Sequence, residues 1–317
     1  MQLAAGAAVL PAFTRVAPAQ AYPSRPVRIV VGYTAGGVSD ILARLIGQRL
    51  SERLGRPFII ENRPGAGSNI GTEVVVRAPA DGYTVLLVGV ANAINVTLYK
   101  DLNFNFIRDI APVAIIERAP LVMVVSPSVP ASTVPEFIAY AKANPSKINM
   151  ASAGTGGATH VAGELFKMMA GVNLVHVPYH GSPPALSDLL AGQVHVMFDN
   201  MASSIALVRA GRLRPLAVTT MTRSETLPNI PSVSDFVPGY TASGWNGIGA
   251  PKNCPSEIIA TLNAEINAAL IDPMIKARLA DLGGTAMPAS PADFGTLIAE
   301  DTEKWAKVVT FAGIKPE

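Results

Sequence analysis

The sequence predicts a two-lobed α/β protein, each lobe a mostly parallel sheet with helices on both faces. Three observations predict it. Strand-like apolar runs alternate with helical periodicities from Tyr22 onward. A glycine-rich turn joins a strand to a helix in each half of the chain. And 317 residues are enough for two ordinary domains with full cores.

The elements follow in order. Val27-Arg28-Ile29-Val30-Val31 is an apolar run of the kind buried on both faces of a parallel sheet. Ile41, Leu42, Leu45, Ile46, Leu50 and Leu54 then recur at helical spacing, with Arg44, Arg49 and Arg53 on the other face and Gly55 as the stop. Strands are predicted at 58–60 and 84–88, the latter after the Asp81-Gly82 turn. In the second half a strand at 121–125 precedes a helix over Val134–Ala143 that ends at Asn144-Pro145. A strand at 148–150 leads into the second glycine turn and a helix carrying Val161, Leu165 and Met168, closed by Gly171. A strand at 174–177, a helix over Ser182–Ala191 with Pro183 in its first turn, and strands at 194–198 and 216–218 follow. Helices over Ser256–Leu270 and Pro291–Ala312 return the chain to the first lobe. Extended stretches at 118–120 and 244–252 are the expected crossings, so one lobe comprises 22–120 plus 246–317 and the other 121–245.

The two turns carry the chemistry. The first runs Gly32-Tyr33-Thr34-Ala35-Gly36-Gly37-Val38-Ser39-Asp40; the second runs Ala151-Ser152-Ala153-Gly154-Thr155-Gly156-Gly157-Ala158-Thr159-His160. A strand, a turn of small residues and a helix start aim free N–H groups at one point, and the helix dipole favours an anion there. Neither turn contains Lys or Arg, so amides, hydroxyls and water would hold the anion. Two such turns predict two lobes gripping one small acidic molecule, at the carboxyl ends of the strands.

Composition narrows the partners. Charged residues make up 15% of the chain and the formal net charge is +2, without clustered basic residues. Nucleic acid and anionic membrane both need a basic stripe and are not expected as partners. Cys254 is the one cysteine, which excludes an internal disulfide framework or a cysteine-based zinc site. His176, His180 and His195 lack metal-ligand spacing, and neither metal nor cofactor is expected. The run from Leu3 to Ala12 suits the apolar region of an export signal, with Ala19-Gln20-Ala21 as a cleavage site. Because only Met1 and Gln2 precede that run, the true start is expected upstream, at a twin-arginine signal. Beyond residue 21 nothing looks membrane-spanning.

Several motifs together resemble the tripartite tricarboxylate transporter receptor family, the Bug periplasmic solute-binding proteins. They are Tyr22-Pro23-Ser24-Arg25-Pro26, Gly36-Gly37-x-x-Asp40, Glu61-Asn62-Arg63-Pro64-Gly65-Ala66-Gly67, Ala78-x-x-Asp81-Gly82-Tyr83, the second glycine turn, His176-Val177-Pro178-Tyr179 and Gly192-Gln193-Val194-x-Val196-Met197-Phe198-Asp199. They run in order through residues 22–317. The resemblance implies a periplasmic-binding-protein clamshell of the Venus flytrap, type II-like kind. It would be monomeric and would capture an organic acid in the periplasm for a membrane permease. It also implies ligand contacts from Tyr33, Thr34, Ala35, Gly36, Gly37 and Asp40 on one side. On the other side it implies Ser152, Ala153, Gly154, Thr155, Gly156, Thr159 and His160. Asn92, Tyr179 and Asp199 complete the expected site. The family often has Phe or Pro where this chain has Tyr33-Thr34. It commonly has hydroxyl and His groups where this chain has Val90-Ala91-Asn92-Ala93-Ile94-Asn95. A mono- or dicarboxylate less polar than citrate, including an aromatic one, fits that loss.

Each singled-out residue has a plainer role to set beside the functional one. Asp40 at a helix start can cap it, His160 can bond the preceding backbone, and Trp245, placed at a crossing where it could cover a ligand, can pack in the core. An exported hydrolase using Ser152, His160 and Asp199 is the competing class, and a sensor for a signalling partner would use the same cleft. The chain contains no Gly-x-Ser-x-Gly elbow, His-Glu-x-x-His motif or phosphate-loop lysine, which favours binding without catalysis.

Overall fold

The computed structural model describes residues 22–316; the expected export signal lies outside the described residues. The first half contains β1 (Val27–Val31), α1 (Val38–Leu54), β2 (Phe58–Asn62), α2 (Asn69–Val76), β3 (Thr84–Gly89), α3 (Val90–Leu98), α4 (Phe106–Asp109) and β4 (Ile110–Val125). Then come α5 (Val134–Ala143), β5 (Asn149–Ser152), α6 (Ala158–Ala170), β6 (Val175–Pro178), α7 (Ser182–Ala191), β7 (Val196–Asn200), α8 (Met201–Arg209) and β8 (Arg214–Val218). The chain ends with β9 (Ser243–Pro251), α9 (Ser256–Leu270), α10 (Pro273–Asp281), β10 (Thr285–Ala286) and α11 (Pro291–Ala312).

The strands lie in the order β2-β1-β3-β9-β4-β7-β5-β6, with β8 and β10 also paired to β4. Pairing is parallel at both outer ends, β2-β1-β3 and β7-β5-β6. It is antiparallel in the middle, where β9, β7 and β8 flank β4. β4 serves both halves. Its residues 110–120 pair with β9 and its residues 121–125 with β7 and β8. The stretches expected to cross between lobes lie side by side here, Arg118 opposite Trp245 and Pro120 opposite Ser243. Thr219 ties the next passage down. Its backbone N–H and its hydroxyl both donate to the Leu121 carbonyl, and its carbonyl accepts from the Ala242 N–H at 2.9 Å.

Local chemistry explains the element ends. α1 and α6 close on Gly55 and Gly171 in left-handed conformation, where a side chain would be strained. The hydroxyls of Thr133 and Ser290 accept N–H groups at the starts of α5 and α11, and each of these helices has Pro in its first turn. α11 packs against α3 in the first half and α6 in the second. One continuous apolar core runs from Val30 and Leu86 through Trp245 and Trp305 to Phe166 and Phe198. Among the described residues no single helix is long and apolar enough to cross a membrane.

Candidate functional site

The two glycine turns have the same internal construction. In the first, Gly36 has φ +85°, and Gly37, the residue before α1, has φ −77° and ψ 168°. In the second, Gly156 has φ +73°, and Gly157 has φ −76° and ψ 169°. Each left-handed glycine N–H is then caught by the side chain four residues on. Gly36 donates to Asp40 Oδ2 at 2.9 Å, and Gly156 donates to His160 Nδ1 at 3.0 Å. Each catching side chain also faces the residue four further along, which is bonded to it in the first turn and beyond hydrogen-bond reach in the second. Arg44 donates to both Asp40 oxygens at 2.9 and 3.0 Å; His160 Nε2 lies 3.6 Å from Glu164 Oε1. Because an amide donates to Nδ1, a neutral His160 carries its proton on Nε2, toward Glu164.

These bonds give both singled-out residues a structural role. Asp40 is 2% exposed and also accepts from Asn62 at 3.0 Å. Arg44 holds its carboxyl down to about 2, helped by the Gly36 amide. His160 is 4% exposed and stacks on His176 at 3.5 Å. Thr159 accepts the Ala153 N–H at 2.9 Å, and Ser152 Oγ lies 2.7 Å from His176 Nε2. Asn92 repeats the device at α3, accepting the Gly89 N–H at 2.9 Å and donating to Thr72. The Asp40, Ser152, Thr159 and His160 side chains are turned inward. Tyr33, Thr34, Ala35, Gly36 and Gly37 are exposed, and Ala153, Gly154 and Thr155 are half-buried.

A cavity of about 310 Å³ lies between the turns. Its walls are the starts of four helices: Val38 and Ser39 of α1, Val90 and Ala91 of α3, Ala158 of α6, and residues 201–203 of α8. Each helix follows directly on the carboxyl end of a strand or the turn beyond it: β1, β3, β5 and β7. First-turn amides have no acceptor within their own helix. Each helix start carries roughly half a positive charge, and none of the lining residues is Lys or Arg. Glu117, Trp245 and Asn246 form part of the wall on the β4–β9 strands. Burial pushes the Glu117 carboxyl up to about 7, against the lowering effect of its bond from Asn246.

Of the expected contacts, Tyr33 stands in this wall. Gly37 and Gly157 immediately precede its helix starts. Tyr179 donates its hydroxyl to Asp188 at 2.7 Å, and burial, with that bond adding to it, pushes the phenol up to about 12. Asp199 is wholly buried, accepting from Ser182 and Ser204 at 2.5 and 2.6 Å. Burial raises its carboxyl above the ordinary value. It joins the starts of α7 and α8. Ser152, His160 and Asp199 thus have separate partners and form no nucleophile–base–acid relay. Trp245 packs edge-on against Phe294 at 5.5 Å and donates to Asp301 at 2.7 Å, so it serves as core and wall together. Glu117 and the α8 start went unread in the sequence. A lone acid closing the apolar run Val113-Ala114-Ile115-Ile116 was the available signal for the former.

The sequence model described as "Tripartite tricarboxylate transporter family receptor" matches residues 42–314. Protein BugT of Bordetella pertussis is 34% identical over 300 residues, covering 94% of this chain and 92% of its own. The solved structure "R. palustris Rpa4515 with adipate" is 38% identical with a TM-score of 0.80, covering 93% of this chain and 100% of that one. MatC from Rhodopseudomonas palustris with bound malate is 30% identical with a TM-score of 0.76, covering 91% and 100%. The chain therefore belongs to the tripartite tricarboxylate transporter receptor family of periplasmic solute-binding proteins, whose members are receptors and not enzymes.

Proposed function

We propose that this protein captures a small mono- or dicarboxylate between its two halves in the periplasm and delivers it to the membrane permease of a tripartite transporter. One observation carries the reading: four helix starts converge on one cavity that has no basic side chain. Such an arrangement attracts an anion through amides and dipoles. It discriminates by shape and hydrogen bonding more than by charge alone. The adipate and malate in related structures support the carboxylate class. The cavity volume is at the lower end of the roughly 300–1,000 Å³ common for ligand pockets. In this reading 22–120 with 246–317 and 121–245 act as two lobes, and export precedes binding. Ligand favours the closed arrangement because only there do both turns reach it. Asp40, Asn92, Thr159 and His160 shape the turns by holding the N–H groups of Gly36, Gly89, Ala153 and Gly156, while the amides of the helix starts in the cavity wall, at Val38, Val90, Ala158 and Met201, face the ligand.

A thermal-shift screen of the chain from Tyr22 tests this, against aliphatic and aromatic acids, hydroxy acids, amino acids and neutral isosteres. A carboxylate at a hundred times its Kd stabilises the folded form by about 2.7 kcal/mol, a shift of several degrees. Response to neutral isosteres equal to that of the acids would overturn the reading.

A further inference from the structure

Glu117 is the ionisable side chain that the receptor reading leaves without a task. It is 1% exposed and lines the cavity that the helix starts enclose. Its Oε1 accepts from Asn246 Nδ2 at 3.0 Å; its Oε2 has no hydrogen-bond partner. Gly284 presses on the carboxyl so closely that a Cβ there would fall 1.6 Å from Oε2. The group is therefore held in the wall. A buried carboxyl oxygen left unpaired calls for a functional or protonation-state explanation.

Among the described residues, the cavity wall holds no counter-charge. From α1 the cavity receives Val38 and Ser39, from α3 Val90 and Ala91, from α8 residues 201–203, and from the loop before β10 Leu282 and Gly283. β10 brings Thr285 and Ala286 beside Glu117 and Arg118. β9 contributes Trp245 and Asn246, and the Tyr33 phenol is uncharged at neutral pH. Arg118, one residue on, points to the opposite face and lines a separate cavity with Thr285 and Met287. Asp301 of α11 is occupied by Trp245 and Lys304.

We propose that Glu117 is a ligand-site residue and that the cavity takes up an anionic ligand together with one proton, which Glu117 carries. This rests on the carboxylate reading above. A carboxylate a few ångströms from Glu117 in a poorly solvated space repels its charged form. At roughly 7 Å and an effective dielectric near 20, the repulsion raises its proton affinity by one to two powers of ten. The free protein starts with the carboxyl near 7. Below that pH binding moves no proton. Above it binding draws one in, and affinity falls as pH rises.

Calorimetric titration with adipate or the best acid from the screen, at pH 8 in HEPES and in Tris, measures the uptake. Aliphatic acids are fully ionised at that pH. More than half a proton per ligand is expected, with Kd about five- to tenfold weaker at pH 8 than at pH 6. Glu117→Gln, which imitates the protonated form, should take up no proton and show a Kd that does not change between pH 6 and pH 8. Binding by the wild type without uptake, or equal uptake by E117Q, overturns the proposal and leaves the receptor reading standing. Binding of no acid at any pH sinks both. A ligand-free arm tests Glu117 by itself. Its carboxyl is raised in the folded protein, so stability falls as pH rises from about 4.5 to about 7. The folding constant should drop by roughly two powers of ten more in the wild type than in E117Q across that window. Parallel curves would overturn the assignment.

Discussion

Replacing Asp40 with Asn tests whether the first turn is built by side-chain bonds or merely accompanied by them. Asp40 accepts from Gly36, Asn62 and twice from Arg44. An amide retains one acceptor oxygen and turns an NH₂ group toward at least one existing donor. Charge-assisted hydrogen bonds contribute about 1.5–3 kcal/mol each. Arg44 is 55% exposed at its side chain, which screens its share, so a total loss of about 2 kcal/mol follows. Urea unfolding at pH 7 should show it, and calorimetry should show weaker carboxylate binding as Gly36 and Gly37 lose their fixed geometry. The pH dependence supplies an internal control. Because Arg44 depresses the Asp40 carboxyl from 3.8 to about 2, its stabilisation is complete above the ordinary value and lost as pH falls through the depressed one. About half of the gap between wild type and D40N should be gone by pH 3. A gap under about 0.5 kcal/mol at pH 7, typical of neutral surface changes, or one unchanged at pH 3 would refute the reasoning.

The equivalent position in the second turn admits a rescue test. His160→Leu leaves the Gly156 N–H without its acceptor and should cost about 1–3 kcal/mol with a loss of affinity. His160→Asn, whose amide oxygen can reach the place of Nδ1, should recover most of the affinity in the same calorimetric assay. The two left-handed glycines should differ under Ala substitution. Both incur backbone strain of about 1–2 kcal/mol. A Cβ on Gly156, however, would fall 2.5 Å from Leu98 Cδ2, whereas one on Gly36 meets nothing within 4 Å. Urea midpoints should therefore show G156A less stable than G36A by about 1 kcal/mol or more, and equal values would contradict the packing.

How much of this was legible in the sequence depended on punctuation. The helices at Val134–Ala143, Ser182–Ala191 and Pro291–Ala312 could be read to their ends because Pro near the start and Asn or Gly at the finish mark them. α3 and α8 were missed because each abuts its strand without a turn, and the α3 start is fixed by Asn92 reaching back to Gly89. Residues 110–117 of β4 went unread because Pro112 and Glu117 interrupt the apolar run. β9 read as a mere connection because of Gly244, Gly247 and Gly249. At two of these glycines a Cβ would fall within 2.5 Å of Phe294 or Ile110, so the strand needs residues that normally argue against one. The anion-attracting turns were legible because they are local. The cavity wall was not, since Glu117, Trp245 and the α8 start meet only through sheet order and register.

The shared apolar core sets a limit on how this receptor can move. Val30, Phe166, Phe198, Trp245 and Trp305 belong to one cluster, and α11 touches helices on both sides of the crossing strands. A wide gape would strip apolar surface from that seam at about 25 cal/mol for each square ångström exposed. Only a shallow rocking, in which packed helices slide without parting, escapes that cost. The same seam joins the halves thermodynamically. Heat should melt the molecule in one transition whose calorimetric and van't Hoff enthalpies agree, not lobe after lobe.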